Sequence, residues 1–417
     1  MVSCTRRPVN PAFRFAAHAV VTYTTHVESY DVITIGGGAA GAAAALAAVR
    51  GGARVLLVRR GPGATALAGG AWDTPPPEPL RAALAAAGLL LHDVDGVLPH
   101  PDGTLVRCRA AADSHTRLSA VFSAGTDART IACGIAGVPS FHARSLASLW
   151  SDAAGRTDGA LEPVTLTLAD TPAAGWSPIS LAALLDREPH RLAAALARSA
   201  RERGATHAIL PAVLGLTEHA RVLGAMDDAG VIAGEALGSV PSVPGWRLDR
   251  ALLRAVADAG VRVVQGSVEG AVVRGGSVEQ VSVRSAEGSV AFGARAFVLA
   301  TGKFLGGGIT AESEFAESAL GCDVAIERFT RTIDDPAAAL VLTDPVRTEP
   351  QPVLSTGVRV DTHGRPLGVA AVFAANVFVA GTVRAGAETA TFGLGAAAQD
   401  GWSAGGRAAG FAAGAAA

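Results

Sequence analysis

The chain has 417 residues, a formal net charge of −2 and a hydrophobic fraction of 49%, much of it alanine. That length predicts two intimately joined domains with room for a large core. The near-neutral balance argues against a nucleic-acid partner, and no run of about 18 uninterrupted apolar residues predicts a transmembrane helix.

Four cysteines, Cys4, Cys108, Cys133 and Cys322, are scattered with no CxxC pair. Structural zinc and iron–sulfur clusters need grouped thiolates, so no metal site is expected, and the cysteines read as reduced thiols of a cytoplasmic protein. Residues 1–28 place Arg6 and Arg7 before a short, weakly apolar stretch, Ala16–Val21. This lacks the long apolar core of a secretory signal and is expected to be a disordered extension.

Tyr30–Ile35 is an apolar, β-branched run that suits a buried strand. An alanine-rich helical stretch, Gly41–Arg50, follows and ends at Gly51-Gly52, and Arg54–Val58 is a second apolar strand. Strand, helix and strand within about 30 residues is the size of a βαβ unit. Between the first strand and the helix stands Gly36-x-Gly38-x-x-Gly41. In this pattern the first glycine permits a tight turn, the second lets backbone approach a pyrophosphate, and the third lets helix and strand pack closely. The helix N-terminus offers unpaired N–H groups and partial positive charge to that phosphate, and Gly36, Gly38, Ala39, Ala40 and Gly41 are the candidate binding residues.

The acidic residue that usually ends the second strand and binds an adenosine ribose is absent; Arg59 stands there, followed by Arg60. Arg59 could meet a 2′-phosphate, or face solvent beside a mononucleotide, so the loop predicts a phosphate and leaves the nucleotide open.

A small-residue loop, Gly61–Asp73, leads to the Pro75-Pro76-Pro77 boundary. Beyond it, Leu80–Leu91 and Ile179–Arg203 read as helical within a less regular region reaching Gly245. Leu248–Asp258 is an amphipathic helix with Leu248, Leu252 and Val256 at helical spacing. Val261–Gln265 is a strand; Ser267–Val273, Ser277–Ser285 and Ser289–Phe292 form a meander; Arg295–Ala300 is a further strand. Val377–Ala380 is the last strand and a small-residue helix closes the chain.

The segments Asp31–Arg60, Ala64–Asp73 (ATALAGGAWD), Val298–Gly308 (VLATGKFLGGG), Thr356–Asp361 (TGVRVD) and Asn376–Gly395 together resemble the B-subunit family of anaerobic glycerol-3-phosphate dehydrogenases. That family sits within the wider fumarate reductase/succinate dehydrogenase flavoprotein group. The resemblance implies an α/β fold. A Rossmann-like FAD/NAD(P)-binding domain is expected from residues 29–77, 246–305 and 351–417, with a discontinuous α+β cap domain from 78–245 and 306–350. It implies a flavin, FMN for this type of subunit and FAD for the wider group. The implied reaction oxidises sn-glycerol 3-phosphate to dihydroxyacetone phosphate and passes electrons to a quinone. The implied partners are a second flavoprotein subunit and a membrane-associated iron–sulfur subunit, which would hold this chain at the inner face of the membrane.

On this reading Ala300-Thr301-Gly302 runs beside the nucleotide, Gly69 and Gly70 pass near the flavin ring, and Gly381 and Gly395 border its pyrimidine end. The helix starting near Gly393–Gly395 would aim its N-terminus at the reduced ring. Thr382 replaces the glutamate common in the wider group. Arg384, ahead of Lys303, Arg328 and Arg331, is the candidate for the substrate phosphate. His142, or else His363, is the candidate base for the hydroxyl proton. Two other readings stand beside this one: a flavin-carrying electron-transfer subunit with the substrate chemistry in its partner, and a related fumarate reductase-like flavoenzyme.

Overall fold

The protein is described by a computed structural model covering residues 27–117, 129–138, 141–153, 161–172, 175–311, 314–325, 351–368, 371–387 and 393–414. The extension expected over 1–28, Arg328 and Arg331 lie outside these residues, except that Glu28 already opens the first strand.

Strand β1 (Glu28–Ile35), helix α1 (Ala39–Arg50) and strand β2 (Val55–Arg59) form the expected unit, with β1 and β2 parallel. Helix α2 (Glu78–Ala86) and an antiparallel hairpin, β3 (Leu91–Pro99) and β4 (Leu105–Ala112), follow. Strand β5 (Thr130–Ile135), helix α3 (Ala143–Ala153), strand β6 (Leu161–Leu166), helices α4 (Pro178–Arg187) and α5 (His190–Arg203), strand β7 (His207–Leu210), helix α6 (His219–Asp228) and strand β8 (Ile232–Glu235) make a second unit. Its strands are ordered β6-β5-β7-β8 and all are parallel. The cap thus contains a helix-flanked parallel sheet beside the antiparallel hairpin, a layer the sequence pattern did not announce. The single helix read over Ile179–Arg203 is two helices. Pro189 lacks an amide for the helical ladder, and the chain breaks there.

Helix α7 (Val243–Asp258) returns the chain to the first sheet, followed by strands β9 (Arg262–Gln265), β10 (Ser267–Arg274), β11 (Ser277–Ser285), β12 (Gly288–Leu299) and β13 (Val377–Val379) and helix α8 (Leu394–Ala412). The two strands expected at Ser289–Phe292 and Arg295–Ala300 are the single strand β12. Its first half pairs antiparallel with β11, while its end pairs parallel with β13 and its length runs parallel to β1.

The two faces of the parallel sheet are buried differently. Val32, Val55, Leu57 and Val298 pack under α1, α7 and α8, while Ile33, Ile35, Leu56 and Leu299 pack against the meander. Both faces being covered explains why β1 and β2 read as near-continuous apolar runs. Ile309, Ala319, Leu320 and Cys322 join the meander-side core, so these four residues pack with the nucleotide sheet. Likewise Leu80, Leu84 and Leu91 join the helix-side core.

The alanine content has a packing cause. Helix α8 crosses α1 at backbone contact: a Cβ at Gly401 would lie 2.0 Å from the Ala40 carbonyl oxygen, and one at Gly405 2.1 Å from that of Ala44. Alanine in a helix ordinarily gains up to about 1 kcal/mol over glycine. Here the sign reverses: Gly405→Ala should cost about 1–3 kcal/mol through overpacking. Urea unfolding midpoints check this, and a raised midpoint would contradict the packing.

Candidate functional site

A cleft of about 960 Å³ opens at the carboxyl ends of the parallel strands, where open α/β sheets bind ligands. Its floor is the glycine loop. Gly36 (φ +113°) leaves no room for a side chain, since a Cβ would lie 2.2 Å from the Ala300 carbonyl oxygen. A Cβ at Gly41 would lie 1.8 Å from the Gly36 carbonyl oxygen. The turn therefore presses the start of α1 against the β12 end. Gly36, Gly38, Ala39 and Ala40 line the cleft, as do Ala300, Thr301, Gly302 and Gly381; Gly41 packs behind them.

The first amides of α1 have no intrahelical partner by position. One of them, Ala39, donates to the Thr65 hydroxyl at 3.0 Å. Thr65, on the loop after β2, thus supplies a cap that Gly38 cannot. The amides of Gly38, Ala40 and Gly41 make no such bond and carry the positive end of the helix.

Arg59 does not line the cleft. Its side chain is buried beneath Gly37, where a Cβ would meet it at 2.9 Å, and its guanidinium pairs with Asp249 on α7 at 3.2 Å. The strand-end position points inward, toward α7, and not into the cleft. Arg60 faces the cleft instead, its guanidinium against the Gly307 main chain, and makes no ion pair among the described residues. Glu269 on β10 lines the same end with Ser267 and Val268, and pairs with Arg284. Sequence reasoning missed Glu269 because a carboxylate on a neighbouring strand leaves no mark at the β2 end.

At the other end stand Leu67, Ala68, Ala71, Thr382, Gly393 and Leu394. Gly69 and Gly70 turn away from the cleft. A Cβ at Gly69 would meet Gly238 at 2.9 Å, and one at Gly70 (φ +102°) would meet His115 Nε2 at 2.6 Å. Their small size serves close approach to the protein behind the loop. Gly395 is likewise packed on Thr74, where a Cβ would lie 1.8 Å from its carbonyl oxygen.

Helix α8 starts where the sequence predicts, but its N-terminus is already engaged. Asp73 accepts from the amides of Gly395 (2.8 Å) and Ala396 (3.4 Å). A carboxylate is the natural partner for that positive end, so these amides are not offered to a flavin ring. Asp400, on α8, accepts from the Gly381 amide at 2.8 Å and also pairs with Arg384. Arg384 therefore sits outside the cleft with its charge matched. His142 is exposed before α3, its amide on the Pro101 carbonyl, and His363 is exposed on a turn; neither lines the cleft. Lys303 is buried and donates to the main-chain carbonyls of Leu354 and Ala387. The structure thus brings Gly36, Gly38, Ala39, Ala40, Ala300, Thr301, Gly302 and Gly381 to one cleft and does not bring His142 or Arg384 to it.

Behind the loop lies a charged cluster. Glu235, at the end of β8, is fully buried and accepts from Arg247 Nη1 (2.6 Å) and Nη2 (3.0 Å), the Ser114 hydroxyl (2.8 Å) and the Leu214 amide (2.6 Å). Burial alone would raise its pKa, but the Arg247 guanidinium outweighs this and holds it well below the usual carboxylate range. His219, facing Arg247, Glu235 and His115, is lowered to about 4, first by burial and then by the Arg247 charge. Its folded value lies below its unfolded value of 6.5, so the neutral ring stabilises the fold above that pH. The unfolded chain binds the extra proton as pH falls, and about 3 kcal/mol is lost between pH 6.5 and 4. Unfolding followed across this window checks it: His219→Gln should flatten the curve, and an unchanged curve would contradict the assignment.

The fold and the cleft define a dinucleotide-binding protein of the Rossmann class. The chain belongs to the FAD binding domain family, whose model matches residues 31–226 and 182–397. Membership makes it an FAD-binding oxidoreductase by class, and gives no support to the FMN option. Among curated proteins it is similar to the B-subunit of the probable anaerobic glycerol-3-phosphate dehydrogenase of Halobacterium salinarum, 31% identical over 215 residues, covering 48% of this chain and 50% of that one. The chain spans about half the length of the curated relatives it matches. Among solved structures it is distantly similar to a 3-ketosteroid-Δ4-(5α)-dehydrogenase of Rhodococcus jostii (14% identity, 94% and 99% of the two chains, TM-score 0.38). It is similarly distant from Sdh1 of Mycobacterium smegmatis (15% identity, 93% and 69%, TM-score 0.36). Among the described residues no helix is long and apolar enough to cross a membrane, and no cluster of potential metal ligands occurs.

Proposed function

We propose that the chain is the FAD-carrying B-subunit of a quinone-linked glycerol-3-phosphate dehydrogenase, oxidising sn-glycerol 3-phosphate to dihydroxyacetone phosphate. The observation that carries this reading is the identity to the Halobacterium B-subunit, which spans only part of each chain. Its cofactor half is supported by the backbone-lined cleft, whose volume of about 960 Å³ and glycine-loop lining suit a dinucleotide. The amides of Gly38, Ala40 and Gly41 would hold the pyrophosphate. Arg60 and Glu269 would border the adenosine, and Ala68, Ala71, Thr382 and Leu394 the ring. Bound flavin supplies the hydride acceptor for the alcohol carbon. The partners in this reading are a second flavoprotein subunit and an iron–sulfur subunit that meets the membrane.

One observation favours a second reading. Among the described residues, the only titratable side chains lining the cleft are Arg60 and Glu269, and Glu269 is paired with Arg284. A secondary alcohol must give up its hydroxyl proton to a base as hydride leaves. An electron-carrying subunit, with that base in its flavoprotein partner, fits the cleft without one. The test is anaerobic: the FAD-loaded chain receives glycerol 3-phosphate alone and then with its partner subunits. Bleaching of the flavin by substrate alone supports oxidation in this chain. Bleaching only after the partners are added supports the carrier reading, and no bleaching in either case removes both.

A further inference from the structure

A second cavity, of about 20 Å³, lies behind the loop, lined by Gly70, Trp72, His115, His219 and Arg247 among others. Ala68 and Ala71 of the same loop face the flavin cleft, so the loop is the wall between the two spaces.

The two imidazoles present the same chemistry to this cavity. His115 Nδ1 lies 3.0 Å from the Glu235 main-chain carbonyl, and His219 Nδ1 bonds the Leu214 carbonyl. A carbonyl only accepts, so each Nδ1 carries the hydrogen and each neutral ring keeps a bare lone pair at Nε2. Burial, first among the causes, lowers both pKa values and keeps the rings neutral. Both Nε2 atoms are buried and make no hydrogen bond to the protein. Arg247 adds donors: Nε binds the Gly215 carbonyl at 2.7 Å and one N–H on each Nη binds Glu235, which leaves two of its five N–H groups.

Two acceptors and a spare donor around one small volume select the ligand. A metal ion would suit two imidazoles, but the Arg247 cation lines the same space and repels it. A water donates two hydrogens and accepts one, which matches the usual count of about three bonds for a buried water, and the volume exceeds the roughly 10–15 Å³ that one water needs.

We propose that this cavity is a one-water site in which a single water donates to His115 Nε2 and His219 Nε2, accepts from Arg247, and thereby latches the loop Ala68–Ala71 against the flavin. The latch rests on the flavin reading above; the water does not. His115 stands directly behind Gly70, and the Gly238 amide donates to the Gly69 carbonyl at 2.8 Å, so the loop is fixed at adjacent points.

Two measurements test the site on the unsubstituted full chain, with or without FAD. A high-resolution crystal structure should show one water peak within hydrogen-bonding distance of both Nε2 atoms. No peak, or a peak with the anomalous signal of a metal, would overturn the site. Nitrogen-15 NMR of labelled histidine should show both Nε2 atoms unprotonated at neutral pH; a proton on either overturns the assignment. The latch is tested by FAD dissociation. His219→Phe removes one acceptor and should release FAD about 10-fold faster, the loss of about one hydrogen bond, while His219→Gln restores an acceptor and should recover most of the retention. Equal release from His219→Phe and the parent chain would overturn the latch and leave the water site to the first two measurements. A parent chain that binds no FAD would sink the flavin reading instead, and the latch with it.

Discussion

Substituting Gly36 by alanine should yield a protein that no longer retains flavin. The substitution forces a side chain onto φ +113° and drives its Cβ to 2.2 Å from the Ala300 carbonyl oxygen. Strain at such a backbone position costs about 1–3 kcal/mol, and relieving the clash must separate β1 from the β12 end. Either response moves the amides proposed to hold the phosphate. Flavin affinity should fall by at least about 100-fold, the equivalent of about 3 kcal/mol, and the purified variant should be colourless. Gly61→Ala is the matched control: Gly61 also lines the cleft, and no heavy atom lies within 4 Å of a Cβ built there. It should keep its colour and its melting temperature. Flavin absorbance and thermal unfolding of the pair decide the matter; a yellow Gly36→Ala protein would show that the turn is not the phosphate cradle.

The second large effect is expected at Glu235. Removing one partner of a buried ion pair leaves an uncompensated charge and costs about 3–5 kcal/mol. Glu235→Ala would strand the Arg247 guanidinium, the Ser114 hydroxyl and the Leu214 amide together. Glu235→Gln keeps an oxygen for the Leu214 amide but loses the charge, so its cost should fall between that of the parent and the alanine variant. Denaturant midpoints order the three proteins. Equal stability of all three would mean that the pair is not held in the buried geometry described.

The nucleotide unit was legible because its signals are local. Glycine spacing, the apolar runs of β1 and β2 and the helix between them fall within one short stretch, and each residue's role follows from its neighbours. The cap was less legible because its strands are short and interrupted: Gly134 falls in β5, Pro163 in β6, and β7 has only four residues. Without a sustained period, such strands cannot be told from loop.

The site divides in the same way. Gly36, Gly38, Ala39, Ala40 and Ala300–Gly302 line the cleft. Arg59 does not, because the inward turn of its side chain is decided by Asp249, distant in sequence. Gly69 and Gly70 are small because of Gly238 and His115 behind the loop, partners that no local pattern reveals. Asp73 closes the α8 N-terminus across more than three hundred residues. Only Glu235 left a trace, as a lone charge ending the short run Ile232–Glu235, and a buried charge calls for a partner.

The most direct test of the account is the mass of the cofactor released from the purified chain. FAD is the predicted result, because the chain belongs to the FAD binding domain family and Arg60 and Glu269 line the cleft together with the glycine loop. FMN alone would contradict the placement of an adenosine beside Arg60 and Glu269, and a protein that takes up neither flavin after incubation with both would contradict the whole assignment of the cleft.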